Sequence, residues 1–220
     1  MLGRSRLLPA VLACLVAQSN SADDFKILPG ERLGGAVLGE RQRQLRAAMG
    51  QPDTTTRLAG GLIREDWLGK RLAPKAYVEM GLFFRHDFVT VYFRHGRAIQ
   101  VEASSPDFKT PDGLTRASNG LKFRLRYRDF KTIQPPPFHN PDPGGCPAPK
   151  HFVAYDDAMS QGIAWRYGAW GGLAPDPDVE QLEMVIVHRR GEPVIVDPDG
   201  GIRLVWKTPP HLLLENYPKG

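Results

Sequence analysis

The stretch Phe88–Ala103, FVTVYFRHGRAIQVEA, constrains the fold more than any other part of the chain. Val89, Val91 and Phe93 alternate with Phe88, Thr90 and Tyr92, and Ile99, Val101 and Ala103 alternate with Ala98, Gln100 and Glu102. Side chains alternate between the two faces of a strand. A period of two in β-branched and aromatic residues therefore predicts two antiparallel strands around a tight turn. Parity selects the turn. A two-residue His95-Gly96 loop would set Phe93 opposite Ala98 and Val91 opposite Gln100, mixing apolar and polar groups on one face. A three-residue loop of His95, Gly96 and Arg97 sets Phe93 opposite Ile99 and Val91 opposite Val101. The expectation is the odd loop, with Gly96 at positive φ and a buried face of Val89, Val91, Phe93, Ile99 and Val101.

The rest of the chain reads as this hairpin's unit and a degraded second copy. In the first unit, residues 23–107, a helix is expected over Val37–Met49. Leu38, Leu45 and Met49 share one face, Arg41, Arg43 and Arg46 lie outside it, Gly50 fits the left-handed end and Pro52 the stop. Thr54–Thr56 reads as a loop, and Leu62–Leu68 and Tyr77–Phe84 as strands, with Trp67 a core anchor. In the second unit, residues 108–191, Pro111-Asp112-Gly113 matches Pro29-Gly30, and Gly162–Arg166 matches Gly81–Arg85. Tyr155 matches Tyr77, and Leu182–His188 matches Ala98–Ala103. Self-similarity at a spacing of roughly 80 residues is a duplicated unit rather than a short solenoid repeat.

One segment sets two arguments against each other. Leu121, Phe123, Leu125 and Tyr127 alternate with Lys122, Arg124, Arg126 and Arg128, which is a strand pattern. The duplication demands a helix there, with Ser118 as its cap, and the helix is preferred. Residues 134–150 form a proline- and glycine-rich insertion unsuited to regular structure. Residues 192–220 read as an extra hairpin and a tail. The expected fold class is thus α+β: two similar units, each a helix packed on a small antiparallel sheet, plus a C-terminal β-hairpin.

Residues 1–22 stand apart. Arg4 and Arg6 precede the apolar run Leu7–Ala17, and small residues follow at Ser19 and Ser21. That is the order of a signal peptide, and the run is shorter than the roughly 20 residues needed to span a bilayer. A secreted or periplasmic protein is expected. A second reading anchors it as a lipoprotein through Cys14, because Val11-Leu12-Ala13-Cys14 loosely resembles a lipobox; the short run before it disfavours that. With Cys14 removed, Cys146 has no partner for an internal disulfide. Losing two arginines and no acid from a formal net charge of +5 leaves a mild, interspersed positive charge, so a nucleic-acid footprint is not expected.

The order of turns and elements resembles small secreted bacterial α+β modules: the SmpA/OmlA-type units of outer-membrane assembly lipoproteins and the tandem units of beta-lactamase-inhibitor-like proteins. The matching residues are Pro29-Gly30, Leu38-Gly39, Gly50-Gln51-Pro52 and Ile99-Gln100-Val101. The resemblance implies two helix-plus-sheet units and a binding role without catalysis.

The usual catalytic signatures are missing. The six histidines form no His-x-His or His-x-x-x-His pair, and no serine sits in Gly-x-Ser-x-Gly. Asp176/Asp178 and Asp197/Asp199 lie in Asp-Pro-Asp turns. His139, Cys146 and His151 cluster around the proline-rich insertion and are the residue types a metal would take, but a structural zinc site needs four ligands. Trp165 and Tyr167 share a strand face suited to a core. Trp170 stands between glycine-rich turns and is the first choice for contact with a partner, since tryptophan dominates interface hot spots. The leading expectation is an exported, non-enzymatic binding module without a cofactor, contacting a protein or envelope component through Trp170, Trp165 and Tyr167. The alternative is an envelope hydrolase or metal-binding protein using His139, Cys146 and His151.

Overall fold

The computed structural model of the protein describes residues 25–68, 88–135, 151–170 and 182–196. Three short strands, β1 (Ile27–Leu28), β2 (Arg32–Leu33) and β3 (Ala36–Val37), lead into helix α1 (Gln42–Met49). β4 (Thr54–Arg57), β5 (Ile63–Leu68), β6 (Phe88–Arg94) and β7 (Arg97–Ala103) follow. Helix α2 (Gly120–Arg126) then precedes β8 (Lys131–Ile133), β9 (His151–Ala158), β10 (Ile163–Trp170) and β11 (Leu182–His188). β1 to β3 form a small sheet, and β4 to β11 form one antiparallel sheet of eight strands in the order β4-β5-β6-β7-β11-β10-β9-β8.

This corrects the expected fold class. The protein is mostly β, and the two small sheets, each carrying its own helix, are replaced by one continuous sheet. Separate units would leave the backbone groups of β7 and β11 on open edges. Instead Val101 pairs with Val187 and Ala103 with Val185, with Glu102 opposite Ile186 between them. That pairing has the form of an approximate two-fold axis. The strand order reads the same from either edge, since a helix and four strands occur twice in the chain. The segments ahead of the two helices meet as well: Lys26 bridges Lys109 in parallel, and the Phe25 and Phe108 rings lie 5.4 Å apart.

The opening hairpin is corrected in its turn. The loop has two residues, His95 at φ 50° and Gly96 at φ 70°, the paired positive angles of a type I′ turn. Parity is restored by a bulge. Tyr92 faces Gln100 and Phe93 faces Ala98, so Ile99 is the extra residue. Val91 does face Val101, but Ala98 rather than Ile99 joins Val89, Val91, Phe93 and Val101 in the main core cluster.

Other boundaries shift for local reasons. Thr54–Thr56 is strand, not loop, because it pairs with Arg64–Asp66. The first helix begins only at Gln42: Ala36-Val37 pairs with Arg32-Leu33, and Gly39, at φ 84°, turns the chain and donates to the Ala98 carbonyl at 2.8 Å. The segment in dispute is helical, capped by Asn119 rather than Ser118, with the Asn119 side chain accepting from the Lys122 amide. Phe123 and Tyr127 fall on the core side, while Leu121 and Leu125 face outward. The expected strand Tyr77–Phe84, most of the insertion 134–150 and the second arm of the C-terminal hairpin, Ile202–Trp206, lie outside the described residues; Val194–Val196, expected as that hairpin's first strand, carry no strand structure.

The central strands of the large sheet are buried on both faces. One face carries Trp67, Val89, Val91, Val101, Val185, Val187, Trp165 and Tyr167 and packs against both helices and the small sheet. The other carries an apolar cluster of Phe88, Val153, Tyr155, Ala164, Met184 and Ile186, covered by Val194 from the chain after β11 and interleaved with buried charged groups.

Candidate functional site

Each helix is tied to the sheet by an arginine reaching a carboxylate that is 0% exposed. On α1, Arg46 pairs with Glu65 of β5, its Nε donating at 3.0 Å, and Gln42 donates to the same oxygen at 2.6 Å. On α2, Arg124 Nε lies 2.8 Å from Asp156 of β9, which also accepts from Thr132 at 2.6 Å and from the Tyr167 hydroxyl at 3.3 Å. The bond to Asp156 raises the Arg124 guanidinium above its ordinary range. Burial, followed by the Asp156 charge, pushes the Tyr167 hydroxyl up to about 12. Trp165 stacks among Phe123, Tyr127 and Phe130, with ring centroids 5.2 to 6.2 Å away.

The opposite face of the sheet holds ions that hydrogen bonds and opposite charges make tolerable in a buried setting. Asp66 pairs with Arg64 at 3.2 Å and accepts from Thr54 and Thr90 at 2.6 and 2.7 Å. Arg166, 1% exposed, lies 2.8 Å from Glu183 and beneath the Tyr155 ring. Burial disfavours its charge, but Tyr155, Glu183 and Glu102 outweigh burial and leave it raised. His188 Nε2 lies 3.0 Å from Asp157, whose other oxygen accepts from the Val194 amide at 2.9 Å. Gln100 both accepts from and donates to the Ile195 backbone. These contacts seat the chain after β11 on the sheet.

An open cleft lies where the two halves meet beside α2. Its first wall is Leu28, Pro29 and Glu31; its second is Asp112, Arg126 and Tyr127; and Gln161 and Arg190 close its end around about 290 Å³. Arg126 pairs with Asp112, and Arg190 lies 3.6 Å from Glu31 while donating to the Pro29 carbonyl at 3.1 Å. Burial pushes the Asp112 carboxyl up, but the bond from Arg126, and then Asp112's own backbone and Thr110, outweigh it and hold it below the usual carboxylate range. Two turns touch at this end. The Gly30 amide donates to the Gly162 carbonyl at 2.9 Å, and a Cβ on Gly162 would stand 2.6 Å from the Gly30 Cα.

The residues expected to touch a partner are distributed differently. Trp165 and Tyr167 are buried at 0% and 1% exposure, in the core beneath α2. The Trp170 backbone ends β10 opposite His151, and its side chain lies outside the described residues, as do His139 and Cys146 and the side chain of His151. The cleft itself was missed. Its signal was the near-repeat Asp24-Phe25-Lys26 and Asp107-Phe108-Lys109, which brings Pro29 and Pro111 to one place.

No family model and no curated protein matches the chain. Among solved structures it is similar to that of the uncharacterized protein yfeY from Escherichia coli, at 13% identity and a TM-score of 0.39, over 74% of this chain and 99% of that one. A likeness at that score carries no argument. Among the described residues no helix is long and apolar enough to cross a membrane.

Proposed function

We propose that the protein is an exported, non-enzymatic binding module that contacts a protein or envelope component through the surface around α2. The observation that carries this reading is the cleft between the halves. Its arginines, Arg126 and Arg190, are oriented by carboxylates yet stay 56% and 60% exposed. An arginine held in place but open to solvent offers donors to an incoming carboxylate or phosphate with little ordering cost. The order of residues in 1–22 supports export.

The test is a pull-down from envelope extract with the wild type and with Arg126→Glu/Arg190→Glu. The expected outcome is loss of specific partners from the variant. An unchanged partner set would remove the cleft from the proposal. Export is read separately, by fractionation and by mass spectrometry of the mature N-terminus.

A further inference from the structure

The two helices expose the same positions with different chemistry. From Arg43 to Met49 the order is exposed, exposed, buried, half-buried, exposed, exposed, buried, and from Leu121 to Tyr127 it is identical. Leu45 and Met49 thus correspond to Phe123 and Tyr127, and Arg46 to Arg124. The outward positions are Arg43 and Ala47 on α1 but Leu121 and Leu125 on α2. The fold therefore does not require leucine at these places, since its own first half does without it. Leu121 is 40% exposed and Leu125 62%, and with Met159 they are the exposed large apolar side chains among the described residues. Spaced by four, they stand on one side of the helix.

Their surroundings are basic. Residues 120–131 contain Lys122, Arg124, Arg126, Arg128 and Lys131 against the single acid Asp129. Arg124 is committed to Asp156 and Arg126 to Asp112. Lys122 and Arg128 are exposed beside the leucines. Leucines that project from a convex helix, rather than lining a groove, suit a surface that yields to them. A bilayer takes apolar side chains below its headgroups while basic residues stay at the phosphates.

We propose that the outer face of α2 docks on an anionic lipid surface, with Leu121 and Leu125 inserted and Lys122 and Arg128 on the headgroups. The proposal rests on the exported reading above and names the envelope component. Burying two half-exposed leucines accounts for roughly tenfold or more in partitioning, and each basic residue near the charged surface for about fivefold.

The test is co-sedimentation of the processed protein with phosphatidylglycerol vesicles and with phosphatidylcholine vesicles. The wild type is expected to sediment with the former, less so as salt rises. Leu121→Gln/Leu125→Gln should lower the bound fraction about tenfold. Lys122→Gln/Arg128→Gln should lower it by about 25-fold. Arg43→Gln/Ala47→Gln, the matching change on α1, should leave it unaltered. Attachment through the N-terminal residues is common to all variants and cancels in the comparison. Circular dichroism confirms that each variant is folded, and Leu121→Ser/Leu125→Ser replaces the glutamine pair if it is not. Equal sedimentation of wild type and leucine variant, or no preference for the anionic vesicles, overturns the proposal. Export, read by fractionation, can stand when it falls.

Discussion

The α1 half and the α2 half solve one packing problem in two ways. Both set the fourth helical residue into the core and send the fifth, Arg46 or Arg124, to a buried carboxylate on the second strand of the following four. In the α1 half the core residues are aliphatic, Leu45 and Met49, and the carboxylate's second donor is Gln42. In the α2 half they are aromatic, Phe123 and Tyr127 over Trp165, and the carboxylate also holds the hydroxyls of Thr132 and Tyr167. The difference teaches that the helix-to-sheet ion pair is the common element, while side-chain volume and the outer face are free to diverge.

The largest effect is expected where the halves touch. Gly162→Ala places a Cβ 2.5 Å from the His188 carbonyl oxygen, at a residue with φ +73°. Backbone on both sides cannot yield, so a loss above about 4 kcal/mol is expected from urea unfolding. Gly96→Ala, at the open hairpin turn with φ +70° and nothing within 4 Å, should cost only about 1 kcal/mol. Equal losses would mean that the contact between the turns contributes nothing.

Core truncation comes next. Phe123→Ala is expected to cost about 3 to 5 kcal/mol and Leu45→Ala about 2 to 4, in proportion to the volume removed. A larger loss at Leu45 in the same unfolding series would reverse the ranking of the two halves.

Arg124→Ala strands Asp156 at 0% exposure, with a cost of about 2 to 3 kcal/mol. Arg46→Ala leaves Glu65 with Gln42, and Arg46 is itself 34% exposed, so about 1 to 2 kcal/mol is expected. A double-mutant cycle with Asp156→Asn, and its counterpart with Glu65→Gln, measures each coupling directly.

The smallest effect is alkaline. Tyr167 keeps its proton in the folded state up to about 12, whereas in the unfolded chain it titrates near 10.0. A raised value means that this contribution is whole below pH 10 and declines as pH rises toward 12, with a total of roughly 3 kcal/mol. Unfolding midpoints between these limits should fall more steeply for the wild type than for Tyr167→Phe. Gln42, in the corresponding role, does not titrate, so Gln42→Ala should leave the pH slope unchanged.

Strand periodicity made β6 and β7 legible, because their apolar residues alternate in a buried setting, and the match to Ala98–Ala103 located β11. Where alternation misled, a second constraint was acting. At Leu121–Tyr127 the alternating leucines and aromatics are two outward and two inward helical residues, and only burial tells them apart. At the hairpin, parity argued correctly that Val91 faces Val101 but assigned the extra residue to the loop. A bulge at Ile99 meets the same parity with a tighter turn. The cleft could not be read from any one segment, since its walls come from both halves.

By itself, the sequence determined that Phe88–Arg94, Arg97–Ala103 and Leu182–His188 are strands, that a helix precedes each group of strands, and which side chains are apolar enough to be buried. These are local properties of propensity and period. Only the tertiary structure decided that β7 and β11 join into one sheet, that the carboxylates Glu65 and Asp156 are buried beneath helical arginines, and that Leu121 and Leu125 stay outside. Edge pairing and burial depend on what arrives from distant parts of the chain, and no local pattern carries that information.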